Sequence, residues 1–270
     1  MITELILIEG RESFEEYYQS VATDDIDIQQ HIDEEKEHTM RVVRNIQLLS
    51  ELMLPSVGER RLAELIALFH NIGRLAQYVR FQTLDDRKSE DHALLSAQVI
   101  QELDFFTHLP EDVQQLVVKS IESHNKIKPG KADADPSIIY VHLLRDANKL
   151  DLFDKTYLRI KQKSLMTLKL PGIELQDNNE VSAKILKSIL SSKVASLEDV
   201  KSVVDYKLYI LSQVYDIHLR KTFQLISDRQ LIQKIYDTLP KRDAIIDAYR
   251  YIRLFIENQF VSLKQPDITE

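Results

Sequence analysis

The amino-acid sequence predicts an all-α fold, and three observations lead to that prediction. Glycine and proline are scarce, with 5 and 7 residues in a chain of 270. Leu, Lys, Glu and Gln, which favour helices, are abundant. Apolar residues recur at spacings of three and four, and no segment alternates cleanly with a period of two. We therefore expect helices throughout the chain and no sheet.

A long helix is predicted over residues 27–54, because the residues of one face recur at helical spacing. Pro55 and Gly58 supply the break that follows. A second helix is expected from about residue 60 to residue 71, and Gly73 is expected to end or turn it.

Three further helix starts can be placed from local signals. Ser89 is predicted to be an N-cap, with Glu90 and Asp91 in the first turn, where carboxylates interact favourably with the helix dipole. Pro110 is expected to start a helix at the first helical position, which proline favours, and Pro136 is expected to open another.

The second half of the chain has fewer signals. Residues 170–180 form its clearest break, and Ser196 gives a weak capping signal before a long helix predicted over residues 197–226. Further helices are expected to about residue 260, and the last ten residues are expected to be frayed.

We divide the chain into two parts on these patterns. Residues 1–160 are assigned to a helical core that carries the motifs described below, and residues 161–270 to a helical extension packed on that core. The homo-oligomeric state is left open.

Composition limits the classes of function. The net charge of −8 disfavours nucleic acid as a partner, although it leaves room for a local basic pocket. The chain has no cysteine, so a metal would be held by His, Asp, Glu, Asn or backbone oxygen. No glycine-rich dinucleotide motif, P-loop or G-x-S-x-G motif occurs. The acidic N-terminus and the lack of long apolar runs predict a cytoplasmic protein without a signal peptide or membrane segment.

Five residues of ligand type lie on or beside inward-facing stripes, each on a different predicted helix: His38, His70, His92, His124 and Asp146. A single histidine in such a position is more often structural than a metal ligand. An ionised Asp146 in the interior is costly unless it is paired or bound to a metal. Five such groups together favour a site, provided that the helices converge, which spacing alone does not establish.

The order of these residues and the short sequences around them resemble the HD-domain superfamily of metal-dependent phosphohydrolases. The segments are "KEHTMRV" with His38, "LFHNIGR" with His70 and Asn71, "SEDHALL" with His92, "ESHNK" with His124 and "LLRDANKLDLF" with Asp146. The segment "LSQVYDIHLRKTFQLI" resembles the helical extension of bacterial members. The resemblance implies an HD-domain helical fold with a C-terminal helical extension.

The resemblance also implies a metal site at the centre of that fold. His38, His70, the residue at position 71 and Asp146 would hold a first divalent ion, and His92 and His124 would help to hold a second in a binuclear member. Imidazole and carboxylate ligands suit Mn, Fe, Co, Ni or Zn, and Mg is a further candidate, so one or two such ions are expected.

Catalytic roles are implied for Asn71, Arg74 and Asp146. Four cations are candidates for binding the substrate phosphate: Arg74, Lys126, Arg145 and Lys149. For Arg74 an ordinary interaction at a helix end is an equal alternative, and the others have the alternative of pairing with nearby acids.

Position 71 departs from the family pattern, because the family carries Asp where this chain has Asn71. Asn keeps one carbonyl oxygen but loses the negative charge, so it should bridge two cations poorly. We expect weaker metal binding and slower hydrolysis. Three explanations stay open: a substitution that traps substrate, a natural relative without turnover, or a site that works with one metal.

The function predicted first is a metal-dependent phosphohydrolase acting on a nucleotide or another small phosphate ester. The alternative is a catalytically inactive relative that binds a nucleotide or a protein partner. A purely structural helical bundle is a third hypothesis, and it requires His38, His92 and His124 to face solvent.

Overall fold

The computed structural model describes residues 2–126, 135–165 and 173–261. These residues form helices joined by turns and loops, and they contain no strand. One isolated parallel bridge joins Gln176 and Ser202. The prediction of an all-α fold is therefore confirmed. Within the same residues, none of the helices has both the length and the apolar character needed to cross a membrane.

The chain divides into two compact units, Met1–Asp151 and Leu152–Glu270. The helices of the first unit are α1 (Glu4–Ser20), α2 (Ile26–Met53), α3 (Val57–Phe69), α4 (Ile72–Phe81), α5 (His92–Glu102), α6 (Asp104–Thr107) and α7 (Glu111–Ser123). Helix α8 (Ile138–Lys161) begins in the first unit and ends in the second. The boundary predicted after residue 160 falls near the end of α8 and stays a prediction.

In the first unit, α2 packs against α3 and α4, and α5 packs against α4 and α7. The inward faces are apolar and fully buried, as for Ile46 and Leu49 of α2 and for Ile66 and Phe69 of α3. Burial of each such side chain contributes roughly 1.5–3 kcal/mol, which fixes the helices against one another. This core positions the parts of the helices that carry the histidines.

Polar caps set where these helices begin. Ser56 and Glu59 form a reciprocal capping box at the start of α3. Asp91 caps α5, accepting hydrogen bonds from the backbone of Ala93 and Leu94. The prediction that Ser89 is this cap is wrong, because Asp91 lies next to the first helical residue.

Gly73 lies inside α4 and does not end the preceding helix. Its backbone N–H donates to Ser96 Oγ of α5 at 2.9 Å. A Cβ at Gly73 would clash with the backbone nitrogen of Ser96 and lie 2.8 Å from the carbonyl carbon of Leu95. The glycine therefore allows α4 and α5 to approach closely, and the break between α3 and α4 falls at His70 and Asn71.

The second unit contains the last part of α8 and five further helices within its described residues: α9 (Ala183–Leu190), α10 (Val203–Ser212), α11 (Arg220–Asp228), α12 (Leu231–Tyr236) and α13 (Asp243–Val261). The single long helix predicted over residues 197–226 is wrong. Ser196 caps only a 3-10 turn, Ser202 then caps α10, and the backbone is extended at Ile217 before α11.

Some sequence-based expectations concern residues that the structure does not describe. The predicted fraying near the C-terminus involves residues 262–270, and the predicted break at 170–180 begins with residues 170–172. Both stretches lie outside the described residues.

Candidate metal centre

Four histidines of the first unit form a row in the interior. The ring centroids of His38 and His70 are 5.5 Å apart, those of His70 and His124 5.3 Å, and those of His124 and His92 5.1 Å. Residues separated by as many as 86 positions therefore meet at one place, because α2, α5 and the ends of α3 and α7 converge there. The structural-bundle hypothesis required three of these rings to face solvent, whereas His92 and His124 are buried and His38 is mostly so.

The two middle histidines of the row, His70 and His124, are called the inner histidines below. Each is the residue that directly follows a helix, α3 and α7 respectively. Each Nδ1 lies on a backbone carbonyl three residues earlier, that of Ala67 at 2.8 Å and that of Ile121 at 2.6 Å. The end of a helix leaves such carbonyls without a helical partner, so the local backbone itself orients both rings.

The two end members of the row, His38 and His92, are called the outer histidines. His38 Nδ1 lies 2.7 Å from Asp151 Oδ2, and Arg41 Nε donates to Asp151 Oδ1 at 2.5 Å. At the other end, His92 Nδ1 lies 2.6 Å from Asp86 Oδ2. Arg74 Nη1 donates to Asp86 Oδ1 at 2.8 Å. Each outer imidazole is therefore held by an Arg–Asp pair.

With each Nδ1 on an oxygen acceptor, the proton of a neutral imidazole resides there and Nε2 carries a lone pair. His70 Nε2 is buried and has no hydrogen-bond partner. The Nε2 atoms of His92 and His124 are 3.2 Å apart, although neither carries a proton in this tautomer. Two nitrogen ligands held about 2.1 Å from one cation would lie roughly 3.0–3.4 Å apart. The donor set therefore fits a divalent metal.

The buried imidazoles are neutral near pH 7, as metal ligands must be. Burial, and then the neighbouring His124 and His38, lower the pKa of His70 well below 6.5. Burial is also the main reason why the pKa of His124 falls to about 3. Burial lowers the pKa of His92 too, although its contact with Asp86 opposes that shift.

The carboxyls that hold the outer histidines are ionised. Burial alone would raise the pKa of Asp86, but hydrogen bonding with His92 and the charge of Arg74 keep it below the ordinary 3.8. The pKa of Asp151 is likewise lowered despite burial, because His38 and Arg41 contact its carboxylate. Both carboxylates can therefore accept a hydrogen bond from the imidazole that they orient.

Asn71 occupies the N-cap position of α4, yet its side chain makes no capping hydrogen bond. Its Nδ2 donates to Glu35 Oε2 at 3.3 Å. Its Oδ1 is buried and has no partner, as is the case for Nε2 of the adjacent His70. Two neighbouring residues thus each present an unsatisfied acceptor, an arrangement that is costly without a cation.

Asp146 is fully buried in α8, and the residues on either side of it are tied to other helices of the unit. Arg145 donates from Nη1 to the carbonyl of His124 at 3.0 Å. Asn45 Nδ2 donates to the carbonyl of Ala147 at 3.1 Å. These bonds fix the stretch of α8 containing Asp146 against α2 and the end of α7.

The four predicted phosphate-binding cations have different surroundings. Arg74 lies on Asp86 and also donates to the carbonyl of Leu84 at 2.6 Å. Arg145 is buried and holds the end of α7. Lys126 is half-exposed and pairs with Asp91 at 2.8 Å. Their roles in substrate binding, like that of the half-buried Lys149, stay predictions.

Four residues at the centre were not singled out from the sequence: Glu35, Arg41, Asp86 and Asp151. Asp151 lies within the quoted segment "RDANKLDLF", which is the one signal that pointed towards it. Asp86 belongs to a polar loop whose acids look alike in sequence. Asp86, Asp91 and His92 also form a cluster with ligand atoms within 4.8 Å of one another. In that cluster Asp86 orients His92 and Asp91 caps α5, so both carboxylates already have hydrogen-bonding roles.

Comparison with known families identifies the class of this unit. The family model of the HD domain matches residues 36–152, and this part of the chain is therefore an HD domain. The matched range contains all four histidines, Asn71 and Asp146. HD domains are typically metal-dependent hydrolases that bind divalent metals and act on phosphate substrates. Neither the curated proteins nor the solved structures include a match to the chain.

Proposed function

We propose that the protein is a metal-dependent phosphohydrolase that acts on a small phosphate ester, with nucleotides as the substrate class to test first. One observation carries the proposal. Four imidazoles, three of them buried, have Nδ1 engaged by protein oxygen atoms, while the Nε2 atoms of His92 and His124 face each other at 3.2 Å. With the proton of each ring on Nδ1, these two nitrogens are both acceptors, which a bound cation would satisfy.

The residues proposed to hold the metal are the four histidines, Asn71 and Asp146. Predominantly nitrogen ligands favour Mn, Fe, Co, Ni or Zn over Mg or Ca. A divalent ion supplies Lewis acidity towards a phosphoryl oxygen and lowers the pKa of the attacking water. Burial keeps His70, His92 and His124 neutral, and the oxygen atoms on each Nδ1 fix the tautomer of the rings.

Substrate phosphate is proposed to contact the cations at the Asp86 and Asp91 side of the row. Arg74 offers a guanidinium suited to two-point binding of phosphate oxygens. Lys126, which is half-exposed, can exchange Asp91 for a phosphate at little cost because exposed ion pairs are weak. Arg145 and Lys149 are the two further candidates on α8.

The alternative proposal is an inactive HD-domain relative that binds a nucleotide or a protein partner. Asn71 favours it, since an amide offers one neutral oxygen where a carboxylate would bring charge. Metal analysis and a phosphatase and phosphodiesterase panel with Mn, Ni and Co separate the two proposals. The unmodified chain, Asn71→Asp and His70→Ala would be compared.

Turnover by the unmodified chain that is abolished in His70→Ala supports the phosphohydrolase. Metal binding without turnover in the unmodified chain, with activity gained in Asn71→Asp, supports the inactive relative. If neither the unmodified chain nor Asn71→Asp binds a divalent metal, the phosphohydrolase proposal fails.

A further inference from the structure

Glu35 is the hydrogen-bond partner of Asn71, at the position where the family resemblance implies an aspartate. It lies on α2 three residues before His38, so that both side chains occupy nearly the same face of the helix. Glu35 Oε2 accepts from Asn71 Nδ2 at 3.3 Å, and both side chains are partly buried. A carboxylate therefore stands next to position 71, although position 71 itself carries none.

The two ends of a carboxamide differ chemically, since the NH₂ group only donates and the oxygen only accepts. A carboxylate such as Glu35 accepts and has nothing to donate. It therefore selects the orientation in which Nδ2 of Asn71 faces it, since the flipped amide would set oxygen against oxygen. Oδ1 then takes the opposite side, where it is buried and without a partner, next to the unsatisfied Nε2 of His70.

We propose that Glu35 is a positioning residue that holds Asn71 with Oδ1 turned towards the metal centre. Glu35 and Asn71 together form a carboxylate–carboxamide pair, in which Asn71 supplies a neutral oxygen ligand and Glu35 fixes the direction of that oxygen. This inference rests on the metal site of the proposed function. On this proposal Asn71 binds the metal through Oδ1, and Glu35 is the residue that enables an asparagine to do so.

The proposal is tested by the affinity of the full metal-free chain for Ni²⁺, measured by titration calorimetry. Glu35→Met keeps the length and helix propensity of the side chain but removes the acceptor. Its affinity should fall about 10–100-fold, the usual cost of losing a partner that orients a metal ligand. Glu35→Gln retains an acceptor oxygen and should stay within about threefold of the unmodified chain, because it can still hold Nδ2.

A matched control removes the same charge from the same helix. Asp33 of α2 is exposed and contacts Tyr18 and Gln29. Asp33→Asn should leave the Ni²⁺ affinity unchanged. Circular dichroism reports whether each variant folds, and Glu35→Ala provides a second acceptor-free variant should Glu35→Met lose helicity.

The substitution Glu35→Met, made in the Asn71→Asp variant, distinguishes a positioning role of Glu35 from a general effect of its charge. The two oxygens of an aspartate are equivalent, so there is no amide orientation to fix. Glu35→Met should therefore change the Ni²⁺ affinity of Asn71→Asp far less than it changes that of the unmodified chain. Hydrogen exchange of the Asn71 side-chain amide, followed by NMR in the metal-free protein, should be slow and should accelerate in Glu35→Met.

Three results overturn the proposal: an unchanged Ni²⁺ affinity in both acceptor-free variants, an equal loss in the unmodified and Asn71→Asp backgrounds, or unaltered exchange of the Asn71 amide. Failure of the two proposals can be told apart. Absence of Ni²⁺ binding by the unmodified chain and by Asn71→Asp overturns both, whereas binding that is insensitive to Glu35 overturns only this one.

Discussion

The inner and outer histidines of the centre are held in two different ways. The inner histidines, His70 and His124, rest on backbone carbonyls three residues before them. The outer histidines, His38 and His92, rest on carboxylates that are in turn held by arginines. The inner rings are buried, and the outer rings lie at the two ends of the row.

The inner rings are therefore oriented by local structure, and the outer rings are oriented by tertiary contacts. An inner ring is oriented by the turn of helix that it ends, so its geometry follows from the sequence around it. An outer ring depends on a charged partner on another segment, 113 residues away for His38. A carboxylate partner also raises the basicity of the imidazole more than a carbonyl does, so the outer histidines should bind a cation more strongly.

The largest expected effect is that of removing an inner histidine, which is a proposed ligand. His70→Ala should weaken divalent-metal affinity by more than the roughly 100-fold limit for losing an outer partner, because it removes a buried nitrogen that has no other partner. Calorimetric titration with Ni²⁺ measures this. The matched control is His108→Ala, since His108 is exposed and outside the row. Equal affinities in the two variants would show that His70 is not a ligand.

Removal of the outer supports should have an intermediate effect. Asp151→Asn and Asp86→Asn keep the shape of the side chain but remove the charge that orients His38 and His92. Each should lower metal affinity about 10–100-fold. Asp85→Asn is the control for Asp86, since Asp85 pairs with Arg87 in the same loop. An Asp86→Asn affinity that matches the control would remove the distinction between outer and inner histidines.

The pH dependence of stability should reveal the buried histidines in the metal-free protein. Burial lowers the folded pKa of His70, of His124 and of the outer His92, so the unfolded chain binds more protons below pH 6.5 and stability falls as pH falls. Between pH 7 and pH 5, His124, with a folded pKa of about 3, should cost about 2 kcal/mol. The lowered pKa of Asp86 and Asp151 adds stability above about pH 4 that is lost only at more acidic pH.

Urea unfolding of the metal-free protein at pH 7, 6 and 5 measures this slope. In His124→Asn the free energy of unfolding should vary less with pH, because one histidine no longer contributes to the change. A free energy of unfolding that is flat between pH 7 and pH 5 would mean that the inner rings bind protons in the folded state.

A further prediction, for stability alone, concerns the contact between α4 and α5, which brings the inner and outer histidines together. Gly73→Ala should destabilise the protein by about 1–3 kcal/mol, because the new methyl group meets the backbone of α5. Gly10→Ala is the control, since there the Cβ would lie 2.7 Å from Leu65 Cδ1, a side-chain end that can shift. Urea unfolding compares both, and equal stabilities would contradict the close approach of α4 and α5.

The fold class and the two inner histidines of the centre could be predicted from the sequence. Helical spacing and scarce glycine indicated helices, and the HD-domain resemblance has been confirmed over residues 36–152. His70 and His124 each end an apolar stripe, so they could be chosen as interior groups. Their carbonyl partners follow from the geometry of a helix end.

The charged supports could not be predicted, because they depend on how helices pack. Nothing in the loop "FQTLDDRKSE" distinguishes Asp86 from its neighbour Asp85, and only the folded chain brings Asp86 to His92. Ser89 and Asp91 are both good capping residues. Asp91 forms the cap and also contacts Lys126, whereas Ser89 Oγ accepts from Gln77 of α4. Gly73 near a helix end suggested a stop, while its role is contact with α5.

The central claim is that the Nε2 atoms of the row face one divalent-metal centre. X-ray absorption at the Ni edge of the loaded, unmodified chain tests it most directly, because imidazole ligands give a distinct outer-shell scattering pattern. The account predicts at least three imidazole ligands, and fewer by one in His70→Ala. A spectrum with oxygen ligands alone, or a chain that retains no nickel, would contradict it.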